Sequence, residues 1–185
     1  MEQIRWGILG TGAIAGSFAT GLQSLDDAQL AAVGSRSAEA GAAFAERFGN
    51  PRVHVGYEAL AADPEIDIIY VATPHPMHYP AVRLCLEAGK PVLCEKPFTV
   101  NAREASDLIA LARERKLFLM EAMWNRFLPL SQRFYELAHD GTIGEPRLLT
   151  ADFDFRHGGD ASHRLFAPAY AGGALLDVGV YVVSL

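Results

Sequence analysis

The sequence predicts an α/β fold, a doubly wound parallel sheet followed by the beginning of a second domain. Three observations carry this. Short runs rich in isoleucine and valine alternate with alanine-rich stretches of helical character. Two of the runs, WGILG and IIYVA, are apolar without interruption, as strands covered on both faces are. The first run breaks abruptly into a glycine turn, GTGAIA. At 185 residues and 50% hydrophobic content, the chain can bury one good core, or one core and a fragment of another.

The elements follow in order. IRWGILG is a first strand that runs into the helix AIAGSFATGLQSL; QLAAVGS and SAEAGAAFAERFG repeat the pattern. RVHV and IDIIYVAT are the third and fourth strands, MHYPAVRLCLEAG the next helix and KPVLCEK the fifth strand. NAREASDLIALARERK predicts a longer helix, opened by Asn101 and Glu104 at the spacing of a capping box. FLMEA is a sixth strand, and a further helix runs through Phe134 and Leu137 to end near Gly141. After GTIGEP the texture changes. EPRLLTADFDFRH alternates like a half-exposed strand, and HGGDASHRLFAPAYAGG is loop chemistry. A boundary near Gly144 divides the chain into a dinucleotide-binding domain, 1–143, and the start of a second domain, 144–185. The last segment, ALLDVGVYVVSL, reads as a helix, although its β-branched residues also suit a strand.

Composition removes several classes of function. No apolar run approaches the roughly 20 residues that span a bilayer, and MEQIRWG lacks a signal peptide's basic and apolar regions, so no membrane partner is expected. Cys85 and Cys94 are the two cysteines; such low usage fits a reducing compartment, and the expected location is the cytoplasm. Neither has a metal-ligand spacing, and no metal is expected. A net charge of -6 argues against broad nucleic-acid binding, while leaving room for a small anionic ligand in a local pocket.

The turn GTGAIA suggests that ligand. Gly10, Gly12 and Ala15 match the G-x-G-x-x-G/A fingerprint of the Rossmann dinucleotide-binding turn. Gly10 permits the tight turn, Gly12 lets backbone N–H groups reach a pyrophosphate, and Ala15 lets helix and strand pack closely. Thr11, Ala13 and Ile14 complete the cofactor loop. An NAD site usually carries an acidic residue at the end of the second strand, whereas an arginine accommodates the 2′-phosphate of NADP. Here Asp26 and Asp27 precede that strand, and Ser35 and Arg36 follow it. The expected cofactor is therefore NADP, with NAD the other candidate.

ATPHPMHYP follows the fourth strand and CEKPF the fifth, both at carboxyl ends, where ligands bind in open parallel sheets. Together, WGILGTGAIA, SRS, ATPHPMHYP, CEKPF and GGALLDVGVY resemble the glucose-fructose oxidoreductase, inositol dehydrogenase and rhizopine-catabolism family of NAD(P)-dependent oxidoreductases. Within it, EAMWNRFLP and the DVGVY ending look most like the dimeric dihydrodiol dehydrogenase and D-xylose dehydrogenase branch.

The resemblance implies a set of roles. Lys96 would approach the nicotinamide ribose and the substrate hydroxyl; a lysine placed there stabilises developing negative charge or helps move a proton. Glu95 would orient its neighbours. Thr73, Pro74 and His75 would lie along the cofactor, and His78 either joins them or is structural. Asp177 and Tyr181 would supply the catalytic carboxylate and the acid/base; four residues apart, they share a face in a helix and in a strand alike. An ordinary tyrosine titrates near pH 10, so Tyr181 needs a cation beside it, which Lys96 could provide. Gly179, between them, suggests close approach by another group, either the nicotinamide or a packing contact. By position alone, Trp124, Arg126, Phe153 and Phe155 could wall a substrate pocket or belong to the core, and Arg164 could meet an anionic or polyol substrate or extend into solvent.

The expected activity is hydride transfer between NADP and a secondary alcohol of a sugar, polyol or dihydrodiol, with Tyr181 and Lys96 taking the hydroxyl proton. Family chains continue well past this length into an open, mainly antiparallel sheet that closes the site and commonly forms a dimer interface. By that resemblance the chain holds only the start of an α+β domain, exposes apolar surface around FDF and YVVSL, and belongs to a homo-oligomer when full length. The alternative is a nucleotide-binding module or redox sensor without catalysis, since fold alone does not establish chemistry.

Overall fold

The computed structural model describes residues 3–185. Contacts divide the chain into two compact units, Met1–Glu121 and Ala122–Leu185.

Six strands build the first unit: β1 (Ile4–Leu9), β2 (Ala28–Ser35), β3 (Arg52–Val55), β4 (Ile68–Val71), β5 (Val92–Cys94) and β6 (Leu119–Glu121). All six expected strands are present. They form one sheet in the order β3-β2-β1-β4-β5-β6, with every pairing parallel. The order reverses between β1 and β4, which opens a crevice beyond the carboxyl ends of these strands. Helices α1 (Ala13–Leu22), α2 (Ala38–Arg47), α3 (Tyr57–Ala61), α4 (His78–Glu87) and α5 (Ala102–Arg115) make the crossovers. All but α3 lie where the sequence predicts them.

Both faces of the sheet are covered, which explains why its central strands read as unbroken apolar runs. On one face Leu9, Ile69, Val71, Val92 and Cys94 pack against Leu60 of α3, Val82, Cys85 and Leu86 of α4, and Leu108 of α5, all fully buried. Residues of opposite parity point the other way. There Tyr70 stacks on Phe18 of α1 at 3.8 Å between ring centroids, and Trp6 meets Phe18 edge-on at 5.1 Å. Helix α5 starts as its capping pattern predicts. Asn101 Oδ1 accepts the Glu104 N–H at 3.0 Å, and Asn101 Nδ2 donates to Glu104 Oε1 at 2.9 Å.

The second unit holds α6 (Pro129–His139), begun by a proline whose missing N–H costs nothing in a first turn. Helix α6 thus groups with the second unit, whereas the sequence reading put residues up to 143 with the first. The strand expected over EPRLLTADFDFRH is not formed: residues 146–160 have no regular structure. An alternating segment becomes a strand only with a partner to take its N–H and C=O groups, and among the described residues none pairs with it. Leu148 is 87% exposed, and Phe153, Phe155 and Val183 are exposed as well. ALLDVGVYVVSL is helical as expected, through a π-helical turn, Leu175–Gly179, that leads into α7 (Val180–Val183). Among the described residues no helix is long and apolar enough to cross a membrane.

Candidate active site

Gly10 and Gly12 are small for different reasons. Gly10 has φ +112°, and a Cβ there would stand 2.8 Å from the Ala72 carbonyl oxygen, so the turn runs hard against the chain leaving β4. Gly12 has an ordinary φ of −77°, and a Cβ there would meet nothing within 4 Å. Its smallness serves no packing of the protein itself. Beside it α1 begins with no side-chain cap and no acidic residue in its first turn, which leaves N–H groups and a partial positive charge directed outward. Thr11, Ala13 and Ile14 lie at this mouth, half-buried or exposed, while Ala15 is fully buried against the sheet.

At the end of β2, Ser35 is buried and its Oγ accepts the Ser37 N–H at 3.2 Å. Ser37 in turn caps α2 by accepting the Ala40 N–H. Arg36 extends into solvent between them.

Beyond β4, Thr73 is buried and its hydroxyl lacks a hydrogen-bond partner among the described residues. Pro74 is exposed, and His75 opens a 3-10 turn, His75–Met77. His78, a candidate for the cofactor, has another place. It is fully buried, with Nδ1 2.7 Å from the Pro97 carbonyl oxygen and Nε2 2.8 Å from the Thr73 carbonyl oxygen. Both nitrogens are engaged by backbone, so the ring ties the loop after β4 to the loop after β5 from behind. A neutral imidazole donates to one of these carbonyls, and a second proton would serve the other. Burial holds the pKa below its ordinary 6.5, against the pull of the two carbonyls.

His78→Ala would leave a cavity and buried carbonyls without their donor. It should lower stability by about 3 kcal/mol, a Tm drop on the order of 10 °C in calorimetry. Wild-type stability should also fall as pH drops below about 6.5, because the unfolded chain takes up a proton there that the folded ring resists. The variant should lose that part of the slope.

The Glu95-Lys96-Pro97 turn leaves β5 at the same end of the sheet. The Glu95 carboxylate is buried; Oε1 accepts the Tyr70 hydroxyl and Oε2 the Lys96 N–H at 3.1 Å. Burial pushes its pKa up, and these two donors partly offset that. Lys96 itself is half-buried.

In the second unit three expected residues come together. Trp124 Nε1 donates to the Tyr181 hydroxyl at 3.0 Å, and the Trp124 and Phe153 rings approach the Tyr181 ring edge-on at 6.1 and 5.5 Å. Arg126 donates to the Ser184 carbonyl at 3.4 Å, which braces α7. Arg164, a candidate substrate contact, pairs with Asp177 at 3.6 Å. Gly172 seats this pair. A Cβ there would lie 2.9 Å from the Arg164 carbonyl oxygen, so only glycine lets residues 164–166 lie against the start of the helix. The small residue at Gly179 has a packing explanation, since a Cβ there would press on Leu175 Cδ1 at 3.2 Å. Among the described residues no group of three His, Cys, Asp or Glu side chains could hold a metal ion.

Both units match known proteins. Residues 4–123 match the GFO/IDH/MocA oxidoreductase family, NAD-binding Rossmann fold, and residues 131–185 match the GFO/IDH/MocA C-terminal domain. The chain belongs to this family. It is 46% identical over 185 residues to mouse trans-1,2-dihydrobenzene-1,2-diol dehydrogenase and 44% identical to the human protein. These alignments cover 98% of this chain and 54% of each relative, so the chain spans about half their length. Among solved structures, KijD10, a 3-ketoreductase from Actinomadura kijaniata in complex with NADP and TDP-benzene, superposes with a TM-score of 0.88 at 34% identity, over 97% of this chain and 55% of that one. GenD2 from gentamicin A biosynthesis, in complex with NAD, superposes at 0.84 and 29% identity, over 99% and 52%.

Two further residues near these turns carry a signal in the sequence. Tyr70 is a hydroxyl-bearing residue inside the otherwise aliphatic IIYVA, where a buried O–H must find a partner. Glu121 is a lone carboxylate at the carboxyl end of the apolar strand FLMEA. Its Oε1 accepts the Phe98 N–H at 2.8 Å.

Proposed function

We propose that the protein is an NADP-dependent dehydrogenase that transfers a hydride between the cofactor and a secondary alcohol of a sugar, polyol or dihydrodiol, and that it works in the cytoplasm. The observation that carries this reading is the mouth beside Gly12. A residue with room for a side chain but none present, an uncapped helix start and the unpartnered Thr73 hydroxyl all fit a bound pyrophosphate nucleotide. The relatives' names point to a dehydrogenase, and the similar structures, one with NADP and one with NAD, point to a nicotinamide dinucleotide.

In this reading the turn Gly10–Ile14 and the start of α1 hold the pyrophosphate, and Thr73, Pro74 and His75 border the nicotinamide half. Arg36 meets the 2′-phosphate as a charge-assisted donor, with Ser35 standing where an NAD site carries a carboxylate. His78 supports the loops rather than touching the cofactor. When bound, the nicotinamide accepts or returns the hydride. Tyr181, whose hydroxyl accepts the Trp124 N–H, takes the substrate's hydroxyl proton, and Lys96 stabilises the charge that develops on the reacting oxygen. Asp177, steadied by Arg164, orients the substrate or the proton relay. A homo-oligomeric full-length form belongs to the same proposal.

Calorimetric titration with NADPH and NADH side by side tests the cofactor half. NADPH should bind about 10- to 100-fold more tightly, and Arg36→Ala should remove most of that difference while leaving NADH nearly unchanged. Equal affinity in the wild type, or a preference that survives Arg36→Ala, would remove the role given to Arg36. Turnover over a panel of sugars and diols tests the other half; a protein that binds NADPH and transfers hydride to none of them would be a binding module.

A further inference from the structure

The backbone from Glu95 to Phe98 carries Lys96 and has only a short strand behind it. Strand β5 is three residues long, and its last register pair with β6 is Cys94 with Glu121. Past that pair the ladder ends, and side chains take over its polar groups. The Lys96 N–H goes to Glu95 Oε2, the Pro97 carbonyl faces His78 Nδ1, and the Phe98 N–H goes to Glu121 Oε1 at 2.8 Å. Pro97 has no N–H to place. The first two contacts come from the turn itself and from α4, and the third comes from β6.

We propose that Glu121 is a positioning residue for Lys96, setting the direction of its amine by holding the Phe98 amide two residues further along. This rests on the catalytic reading of Lys96 given above. The argument is geometric. Lys96 sits between a residue locked from β4 through the Tyr70 hydroxyl on Glu95 and a residue locked from β6 through Glu121. With one end released, the turn can pivot about the other, and the long lysine stem amplifies a small backbone rotation at its tip. A carboxylate at the end of a strand is well suited to the task. Its bond to a backbone N–H is charge-assisted, and the register fixes its distance from the turn.

Lys90, Lys96 and Lys116 are the three lysines of this chain, so reductive methylation of it with 13C gives few enough NMR signals to follow each amine, and Lys96→Arg assigns the one of interest. Two conservative variants separate reach from charge. Glu121→Gln keeps an oxygen at the same distance from the Phe98 N–H, and Glu121→Asp keeps the charge but falls short of it. In the Asp variant the Lys96 signal should shift and kcat should fall about ten-fold or more, with KM within about two-fold. Lys90 and Lys116 should stay in place, and the Gln variant should move the Lys96 signal by only a small fraction of the Asp variant's shift. An Asp variant whose Lys96 signal stays at the wild-type position would overturn the proposal, whatever its melting temperature. So would a Gln variant that behaves like the Asp one, because charge and not reach would then be the cause. The catalytic reading fails separately: if Lys96→Met keeps its turnover while Glu121→Asp still moves the Lys96 signal, Glu121 positions a lysine that does no chemistry.

Discussion

Gly12→Val should abolish nicotinamide dinucleotide binding while leaving the fold almost untouched, and Gly10→Val should do the reverse, destroying the fold first. The two glycines are two residues apart in one motif, yet their surroundings differ. A side chain on Gly12 meets no protein atom within 4 Å, and its φ of −77° suits any residue. Placing valine at the start of α1 costs no more than about 1 kcal/mol, a few degrees of Tm. The added methyl groups fill the space that a pyrophosphate needs against the N–H groups of α1, so affinity for NADPH should drop more than about 100-fold, roughly 2.7 kcal/mol. At Gly10 the same change forces a β-branched residue to φ +112° and drives its Cβ to 2.8 Å from a backbone oxygen of Ala72, which cannot swing aside. The loss there should exceed about 4 kcal/mol. Circular-dichroism melts and calorimetric titration of both variants check this. A Gly12→Val protein that still binds NADPH with wild-type affinity would show that the pyrophosphate lies elsewhere.

Much of the fold is legible because it rests on local rules. The strands WGILG and IIYVA are apolar throughout because helices cover both of their faces, and Asn101 starts α5 because its side chain reaches an amide three residues away. Helix α3, five residues long, is too short to show a period. EPRLLTADFDFRH shows the period of a strand without becoming one, since alternation specifies which faces a strand would have and not whether a neighbour exists to pair with it.

The site divides in the same way. Its glycines and strand-end residues are readable from motif and position. What each polar group touches is not, because the partners are distant in the chain. His78 meets Pro97 across 19 residues, Phe98 meets Glu121 across 23, Tyr70 meets Glu95 across 25 and Trp124 meets Tyr181 across 57. Such pairings depend on sheet register and loop path, which periodicity does not encode. A histidine after β4 therefore read as a cofactor ligand or a structural residue, and its burial makes it a tie between loops. The pairing of Arg164 with Asp177 is hidden from the sequence for the same reason.

Lys96→Met in the full-length protein should lower kcat about 1,000-fold, near 4 kcal/mol of barrier, while NADPH affinity stays within about three-fold. Methionine keeps the length and apolar bulk of the stem, so the turn between Glu95 and Phe98, held by Tyr70, His78 and Glu121, has no reason to move. What disappears is one positive charge. In the proposed mechanism Tyr181 accepts the substrate proton while Lys96 stabilises the charge that develops on the reacting oxygen, so both losses fall on one step. Tyr181→Phe should lose at least as much rate, and the double variant should be little worse than Tyr181→Phe alone. Wild-type turnover by Lys96→Met would end the role assigned to the lysine. A double variant that loses the full product of the two single effects would show that the two residues act at separate steps.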